Sequence, residues 1–299
     1  LQGKTMMPGF IEQHLHPFLG AVALSIAVIA PEAWVLPEKT WPAATTADEY
    51  LTALRTAEAD MEDDQEVFWS WGFNQYFHGE LNRAMLDEIS DSRPMGIWHR
   101  SAHEFYVNSA FIKHFGLEQT DIDQLGAIVQ AQSNLESGHF YETGALIYLL
   151  PRIFAELGNE ERFREGLHQM VAMLHRRGVT AFNEPGAFIP PHMVQAFGEI
   201  LGSPQTPMYS FFTPESKTLY QHYGAEGVLA AAQKVTETYE KEGKIRFFDK
   251  QIKILFDGAI ISLLMQMKDG YEDGHQGEWI QPPEEAATLF QIFWDAGYQ

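Results

Sequence analysis

The sequence predicts a parallel β/α fold, and two observations lead to this prediction. From residue 159 to residue 297, segments with helical periodicity alternate with short apolar segments that resemble strands. Strands that are apolar throughout are typical of parallel sheets, which helices cover on both faces. With one strand near the start of the chain, we find about four such strands, whereas a closed β/α barrel needs about eight. We therefore expect roughly the first half of a barrel.

The first strand is predicted at residues 6–11, within a first segment of residues 1–30. Residues 31–150 break the alternation and are expected to form a large α+β insertion after this strand. A helix is predicted to follow Thr46, because Thr46 and Glu49 have the spacing of a capping box. Other elements predicted in the insertion are strands at 67–73 and 95–100 and helices at 82–89 and 107–115.

Residues 151–299 are expected to contain further β/α units of the barrel. Asn159 is a predicted N-cap, and the acidic residues Glu160 and Glu161 suit the first turn of the helix that follows. The predicted helices cover residues 159–177, 192–201, 224–242 and 282–296, and the predicted strands cover residues 179–182, 208–212 and 252–256.

The composition excludes several classes of protein. The chain carries 20 Lys and Arg against 41 Asp and Glu, a formal net charge of −21. A nucleic-acid-binding protein should present a basic face, so we expect none of that activity. The absence of cysteine rules out disulfides, thiolate ligands and a cysteine nucleophile. The apolar run at 18–30 is too short to span a membrane, and no signal peptide is recognisable, so a cytoplasmic protein is expected.

The first candidate for a functional site is the pair of histidines at the end of the first predicted strand. Residues 8–17 read Pro-Gly-Phe-Ile-Glu-Gln-His-Leu-His-Pro. Side chains alternate between the faces of a strand, so His14 and His16 should point the same way. Two imidazoles on one face can bind a divalent metal ion. The alternative is two unrelated histidines on an exposed strand.

The second candidate is Lys253, which lies among the apolar residues of the predicted strand at 252–256. A charged lysine there is costly unless it is paired or its stem carries the charge to water. A lysine at the sheet edge or in a salt bridge is therefore the alternative to a functional role. Asp257 follows directly, but Asp257-Gly258 is also a common turn pair.

These segments resemble those of a known family. Residues 8–16 are similar to the first-strand signature of the metal-dependent amidohydrolase superfamily, Pro-Gly-(Phe/Leu)-Ile-Asp-x-His-x-His, with Glu12 in place of Asp. Residues 252–258 resemble the Val-Lys-(Leu/Ile)-Phe-x-Asp-Gly segment of its YtcJ-like branch, amidohydrolase family 3. Segments at 100–110, 138–142 and 178–186 also resemble segments of that family, in the family's order.

The resemblance implies a (β/α) TIM-like barrel and a hydrolase that cleaves a C–N bond of a non-peptide amide-like substrate with a metal-activated water. His14 and His16 would hold one or two divalent ions, with zinc as the expected metal. In related amidohydrolases a strand lysine carboxylated by CO2 bridges two metals, and Lys253 would be that residue. The candidate catalytic residues are thus Lys253 and Asp257, and the candidate substrate-binding residues are His103, Glu184 and Trp71.

Two other interpretations stay open. In the family, later strands supply two more histidines and an aspartate, and these residues have no counterpart here. A non-catalytic barrel fragment or degenerate homologue with a structural His pair is therefore one alternative. A superfamily enzyme that acts on an ester or lactone is the other. A small-molecule substrate is the expected partner, without nucleic acid or membrane, and homo-oligomer formation is left open.

Overall fold

The computed structural model describes residues 3, 5–37, 39–63, 65–187, 189, 191–272 and 274–299, with the side chains of 191 and 192 outside the description. The chain divides into two compact units. The parallel-sheet unit comprises Leu1–Ala21, Phe163–Asp257 and Trp279–Gln299, and the mixed-sheet unit comprises Val22–Arg162 and Gly258–Glu278. The predicted division at residues 1–30, 31–150 and 151–299 stays a prediction.

The regular elements are short strands and helices distributed along the whole chain. The strands are β1 (Phe10–Glu12), β2 (Ala27–Val28), β3 (Trp34–Val35), β4 (Thr40–Trp41), β5 (Phe68–Phe73), β6 (Met95–His99), β7 (Glu104–Val107), β8 (Ser133–Asn134), β9 (His139–Tyr141), β10 (Val179–Ala187), β11 (Tyr209–Pro214) and β12 (Ile245–Phe247). The α-helices are α1 (Pro17–Leu24), α2 (Ala47–Ala59), α3 (Gln75–His78), α4 (Arg83–Asp87), α5 (Ser109–His114), α6 (Gln119–Ile122), α7 (Ala127–Ala131), α8 (Leu150–Leu157), α9 (Glu160–Arg176), α10 (Pro191–Ile200), α11 (Ser216–Val235) and α12 (Pro283–Asp295). A π-helical segment covers Gly144–Leu149 and a 3-10 turn covers Ile260–Ser262. Across the described ranges, no helix has both the length and the apolar character needed to cross a bilayer.

The parallel-sheet unit is built on four strands in the order β1-β10-β11-β12, all paired in parallel. Phe182 of β10 and Phe212 of β11 are fully buried. The ring of Phe197 in α10 contacts both Phe212 and Phe163 of α9, at centroid distances of 5.9 and 5.4 Å. The predicted mixed α/β class is therefore confirmed. The described residues do not form a closed barrel.

Helix α9 packs closely on helix α1 through two glycines. Gly166 is buried, and a Cβ atom added to it would overlap the backbone carbonyl of Ala21. Likewise, a Cβ on Gly20 would lie 3.2 Å from the sulfur of Met170. The helix begins as predicted, because the side chain of Asn159 accepts a hydrogen bond from the N–H of Arg162 at 3.0 Å. Small residues at this contact let the two helix backbones approach each other.

The prediction of a strand at residues 252–256 is wrong, because within this segment only Lys253 forms a β-bridge. The fourth strand, β12, lies earlier, and its Ile245 pairs with Ser210 of β11. The chain returns to this edge only at Lys253, whose N–H donates to the carbonyl of Pro214 and whose carbonyl accepts from the N–H of Ser216, both at 2.9 Å. The apolar neighbours Ile252 and Ile254 instead pack on the core formed by α11 and α12. Their hydrophobicity therefore reflects packing on helices rather than a buried strand.

Helix α11 also differs from its prediction at residues 224–242. It begins at Ser216, because the carboxylate of Glu215 accepts hydrogen bonds from the N–H groups of Lys217 and Thr218. Gly224 adopts a positive φ of 63° inside the helix and breaks it there. Glycine tolerates this left-handed conformation, so Gly224 marks a kink rather than the first residue of the helix.

The mixed-sheet unit contains a sheet of order β2-β5-β6-β7-β9-β8. β2, β5 and β6 are parallel, whereas β7, β8 and β9 join them by antiparallel pairing. The strands predicted at 67–73 and 95–100 correspond to β5 and β6. Their buried side chains, including Phe68, Phe73 and Ile97, form the core of the unit with Tyr50 and Leu54 of α2. The predicted N-cap of α2 is also present, since Thr46 accepts from the N–H of Glu49.

Asn108 connects three segments of the mixed-sheet unit from a fully buried position. Its Oδ1 accepts two hydrogen bonds at 2.9 Å. One comes from the N–H of Phe111 in α5, the helix that Asn108 caps, and the other from the N–H of Met95 in β6. Its amide group donates to the carbonyls of Ser90 and Arg93 at 2.8 and 2.9 Å. All of its side-chain hydrogen-bonding capacity is thus directed at backbone groups.

Asn108→Ala should therefore lower the free energy of unfolding by about 2–4 kcal/mol, because it leaves four backbone groups, three of them buried, without this partner. Urea denaturation of both proteins measures this change. Asn82→Ala, which removes the N-cap bond of α4 to Met85, is the matched control and should cost only about 1 kcal/mol. Equal losses for the two variants would contradict the bridging role of Asn108.

Candidate active site

The two histidines lie just beyond β1, which ends at Glu12. The chain continues beside β10, because the N–H of Leu15 donates to the carbonyl of Asn183 at 2.9 Å. The rings of His14 and His16 meet edge to face, with centroids 5.1 Å apart and planes at 85°. His14 is exposed and His16 is half-buried. The pair thus sits at the carboxyl end of a strand in a parallel sheet, where α/β proteins bind ligands.

Glu184 orients the second histidine of the pair. This carboxylate is 5% exposed, and its Oε1 lies 2.7 Å from Nδ1 of His16. The same oxygen accepts the N–H of Gly186 at 2.8 Å. An imidazole that donates from Nδ1 to a carboxylate keeps its lone pair on Nε2. This arrangement is the one by which protein carboxylates hold a metal-binding histidine in the correct tautomer.

Lys253 lies beside this histidine–carboxylate pair, and Gly186 leaves room for it. A Cβ atom added to Gly186 would lie 3.6 Å from Cγ of Lys253 and 3.8 Å from both Oε1 of Glu184 and Cε1 of His16. The three side chains therefore surround one small space. These residues are far apart in the sequence, so their proximity could not be predicted from it. The parallel pairing of β1, β10 and β11, together with the bridge between Glu215 and Lys253, brings them together.

The electrostatics of the site favour neutral imidazole at His14. Partial desolvation lowers the pKa of this ring, and electrostatic interactions with His16 and Lys253 lower it further. The carboxylates of Glu184 and Glu12 act in the opposite direction without reversing the shift. Because a metal ion binds the unprotonated ring, this environment suits a ligand histidine.

The residues at hand fit part of a divalent metal site. His14 and His16 offer two nitrogen ligands, one of them oriented by a buried carboxylate. Within the residues that the structure describes, no cluster of three or more His, Cys, Asp or Glu side chains has the arrangement to hold an ion. Lysine is not one of these residue types. The side chain of Lys253 nevertheless lies beside the two histidines and would offer a further metal ligand if it were carboxylated.

The other predicted site residues lie elsewhere. Asp257 is half-buried and forms an isolated antiparallel bridge with Trp279 in the parallel-sheet unit. His103 belongs to the mixed-sheet unit, where its Nδ1 lies 2.8 Å from Oε2 of Glu142. Trp71 of β5 is in the same unit and packs edge to face on Trp34 at 5.2 Å. The site roles of these residues stay predictions.

Glu215 is a backbone neighbour of Lys253 that the sequence did not single out. It is buried, caps α11 and pairs through its backbone with Lys253. The signal was present, because an acidic residue directly before a helix is a common N-cap. Because the helix was predicted to start at residue 224, Glu215 was not recognised as its N-cap.

Comparison with known proteins is consistent with this fold and places the chain in a family. Two solved structures match, each titled an uncharacterized metal-dependent hydrolase, from Pyrococcus horikoshii OT3 and Pyrococcus furiosus. The TM-scores are 0.57 and 0.54 at 15% identity, and the match covers 98% of this chain but 52% and 54% of theirs. At this identity the likeness concerns the fold alone.

Two curated proteins are similar in sequence over part of the chain. Protein LONG AFTER FAR-RED 3 of Arabidopsis thaliana is 23% identical over 191 residues, which are 64% of this chain and 30% of that protein. N-substituted formamide deformylase of Arthrobacter pascens is 29% identical over 124 residues, which are 39% of this chain and 20% of that protein. The chain therefore spans about half the length of the matching structures, and its alignments span less of the curated relatives. The amidohydrolase family profile matches residues 1–299, and the chain belongs to this family.

Proposed function

We propose that this chain carries part of the active site of a metal-dependent hydrolase. The observation that supports the proposal is the grouping of His14, His16, Glu184 and Lys253 at one end of the parallel sheet. Membership of the amidohydrolase family supports it independently. We further propose that β1, β10, β11 and β12 belong to a β/α barrel, which the likeness to chains about twice as long supports.

The proposed target is a C–N bond of a non-peptide amide. The family and the relative named N-substituted formamide deformylase both support this choice over an ester or lactone. The proposed substrate is therefore a small N-acyl or N-formyl compound. Zinc is the proposed metal, since imidazole ligands suit it and the chain offers no thiolate.

Each residue of the site has a separate role in this proposal. His14 and His16 would hold the ion, His16 with the lone pair of Nε2, while Glu184 accepts the hydrogen of its other ring nitrogen. A divalent ion bound there would lower the pKa of a water ligand towards neutrality and polarise the substrate carbonyl. The catalytic role predicted for Asp257 stays a proposal that rests on its position four residues after Lys253.

Lys253 is proposed to become an anionic ligand by reaction with CO2. Its amine nitrogen, in the uncharged form, forms a bond to the carbon of CO2 and releases a proton, which gives a carbamate. The charge of the side chain thereby changes from positive to negative beside His16. This change matters because a positively charged ammonium group beside the two imidazoles would repel a divalent cation.

Metal analysis of the intact protein, purified without chelator, tests the proposal. We expect about one or two bound divalent ions and hydrolysis of at least one member of a panel of N-acyl and N-formyl amines. Chelator should remove the activity and added zinc should restore it. Absence of metal would contradict the mechanism, and hydrolysis restricted to esters or lactones would contradict the proposed bond.

A further inference from the structure

A second histidine–carboxylate pair lies in the mixed-sheet unit, outside the site described above. His103 directly precedes β7 and Glu142 directly follows β9, and these strands are antiparallel neighbours. Two hydrogen bonds join the residues. The N–H of Glu142 donates to the carbonyl of His103 at 2.9 Å, and Nδ1 of His103 lies 2.8 Å from Oε2 of Glu142. The imidazole is therefore fixed through both the backbone and the side chain.

The carboxylate of this pair is buried at a cost in free energy. Glu142 is 1% exposed, and its Oε1 has no hydrogen-bond partner among the described residues. A Cβ atom added to Gly258 would lie 2.9 Å from this oxygen, so the glycine allows the carboxylate to occupy its place. A buried carboxylate with an unpaired oxygen destabilises a fold unless hydrogen bonds stabilise it. The side-chain hydrogen bond here is the one that joins Oε2 of Glu142 to Nδ1 of His103.

The backbone around the pair is also strained. Ala102 has a φ of 65° and Glu142 a φ of 42°, and both are non-glycine residues in the left-handed region. The left-handed region is sterically unfavourable for residues that carry a Cβ atom. Strain of this kind is retained where the surrounding structure holds a residue for a function. Both strained positions adjoin or belong to this one pair.

One atom of the pair is available to a ligand. The side chain of His103 is 29% exposed. Its Nδ1 is committed to Glu142, whereas its Nε2 has no hydrogen bond to any residue the structure describes and is not among the buried unpaired atoms. When Nδ1 donates its hydrogen to Glu142, the neutral ring has a lone pair at Nε2 and can accept one hydrogen bond there.

The neighbouring polar groups differ from this arrangement. Glu104 is buried, and its Oε2 lies 2.9 Å from Nε2 of His139, whose side chain is 28% exposed but stacks on the rings of Tyr106 and Tyr141. His99 is fully buried, and burial lowers its pKa to about 4, so it is neutral at pH 7. His114 and Glu156 form a pair at 3.0 Å in which both side chains are exposed. His103 thus combines a buried orienting carboxylate with an outward acceptor.

We propose that His103 binds a ligand by accepting an amide N–H at Nε2, and that Glu142 is the positioning residue that fixes the ring in this tautomer. Our proposed function enters only in the choice of an amide as the ligand. The geometry itself calls only for a hydrogen-bond donor at Nε2.

NMR of the intact protein, with nitrogen-15 labels in its histidine rings, tests the tautomer of His103 directly. We expect His103, identified by the signal lost in His103→Gln, to carry its hydrogen on Nδ1. N-methylacetamide, which has an N–H group, should shift the Nε2 signal of His103. N,N-dimethylacetamide, which lacks that group, should not. The exposed His114 should respond to neither amide.

Glu142→Gln tests the positioning role. We expect the single tautomer to be lost and binding of N-methylacetamide to weaken by at least about 5-fold, as for one displaced hydrogen bond. Glu156→Gln is the matched control and should change neither. Circular dichroism identifies a variant that fails to fold, and Glu142→Asp, which keeps the charge, should then retain the wild-type tautomer.

Several results would overturn the inference. These are a hydrogen on Nε2 in the wild type, equal responses to the two amides, or an unchanged spectrum in Glu142→Gln. The measurements use binding without turnover and are made after chelator treatment. An inactive or metal-free protein would therefore contradict the proposed hydrolase and leave this test intact.

Discussion

Replacing either His14 or His16 with alanine should reduce turnover of an active amide substrate by more than about 100-fold. Loss of a group that merely supports a metal ligand typically costs about 10–100-fold, so loss of the ligand itself should cost more. His14 is exposed and His16 half-buried, and neither contributes to the buried core. The fold should therefore survive both substitutions.

Three measurements separate this expectation from its alternatives. Steady-state kinetics and metal content are compared for His14→Ala, His16→Ala and His168→Ala, an exposed histidine on α9 that serves as control. Glu184→Gln should fall between the control and the ligand variants, with a loss of about 10–100-fold. Normal rates and full metal content in both ligand variants would show that the pair is structural.

A large loss of stability is expected from Gly166→Ala. The added methyl group would overlap the carbonyl oxygen of Ala21 and lie 2.7 and 3.1 Å from its C and Cα atoms. Side chains can rotate away from such contacts, but the backbone of a packed helix must move as a whole. Overpacking in a core costs about 1–3 kcal/mol, and a clash with backbone belongs at or above the upper end.

Gly198→Ala provides a matched control for this substitution. Gly198 also lies inside a helix of the parallel-sheet unit, α10, but its added Cβ would lie 3.7 Å from a ring atom of Tyr239, an ordinary contact. Alanine should therefore stabilise α10 by about 0.5–1 kcal/mol through its better helix propensity. Urea denaturation should give opposite signs for the two variants. Equal signs would contradict the packing described for α1 and α9.

The sequence predicted well those elements whose pattern arises from local rules. The periodicity of α9 and the apolar strands β10 and β11 are visible in short windows, and Asn159 caps its helix as expected. The segment at 252–256 misled for a physical reason. Isoleucines beside Lys253 look the same whether they face two layers of a sheet or two helices, and only the tertiary structure decides between these cases.

The candidate site was predictable in part for a similar reason. The His pair carries a short-range signature, and a family resemblance identified Lys253. The bond between His16 and Glu184 spans 168 residues of sequence, so local patterns give no sign of it. The pairing of His103 with Glu142, across 39 residues, depends on which strands become neighbours. The long-range hydrogen bonds of the buried carboxylates therefore could not be predicted from local sequence patterns.

The pairing of β1 with β10 has a consequence for protein synthesis. Phe10 meets Val179, so the first strand must wait until the ribosome has made the chain between them. At about 5–20 residues per second this takes roughly 10–30 s. Met6, Met7, Phe10 and Ile11 are largely exposed even in the finished unit, and they have no partner strand during this interval. The nascent segment that carries both histidines is therefore a natural target for chaperones that hold apolar chains as they emerge.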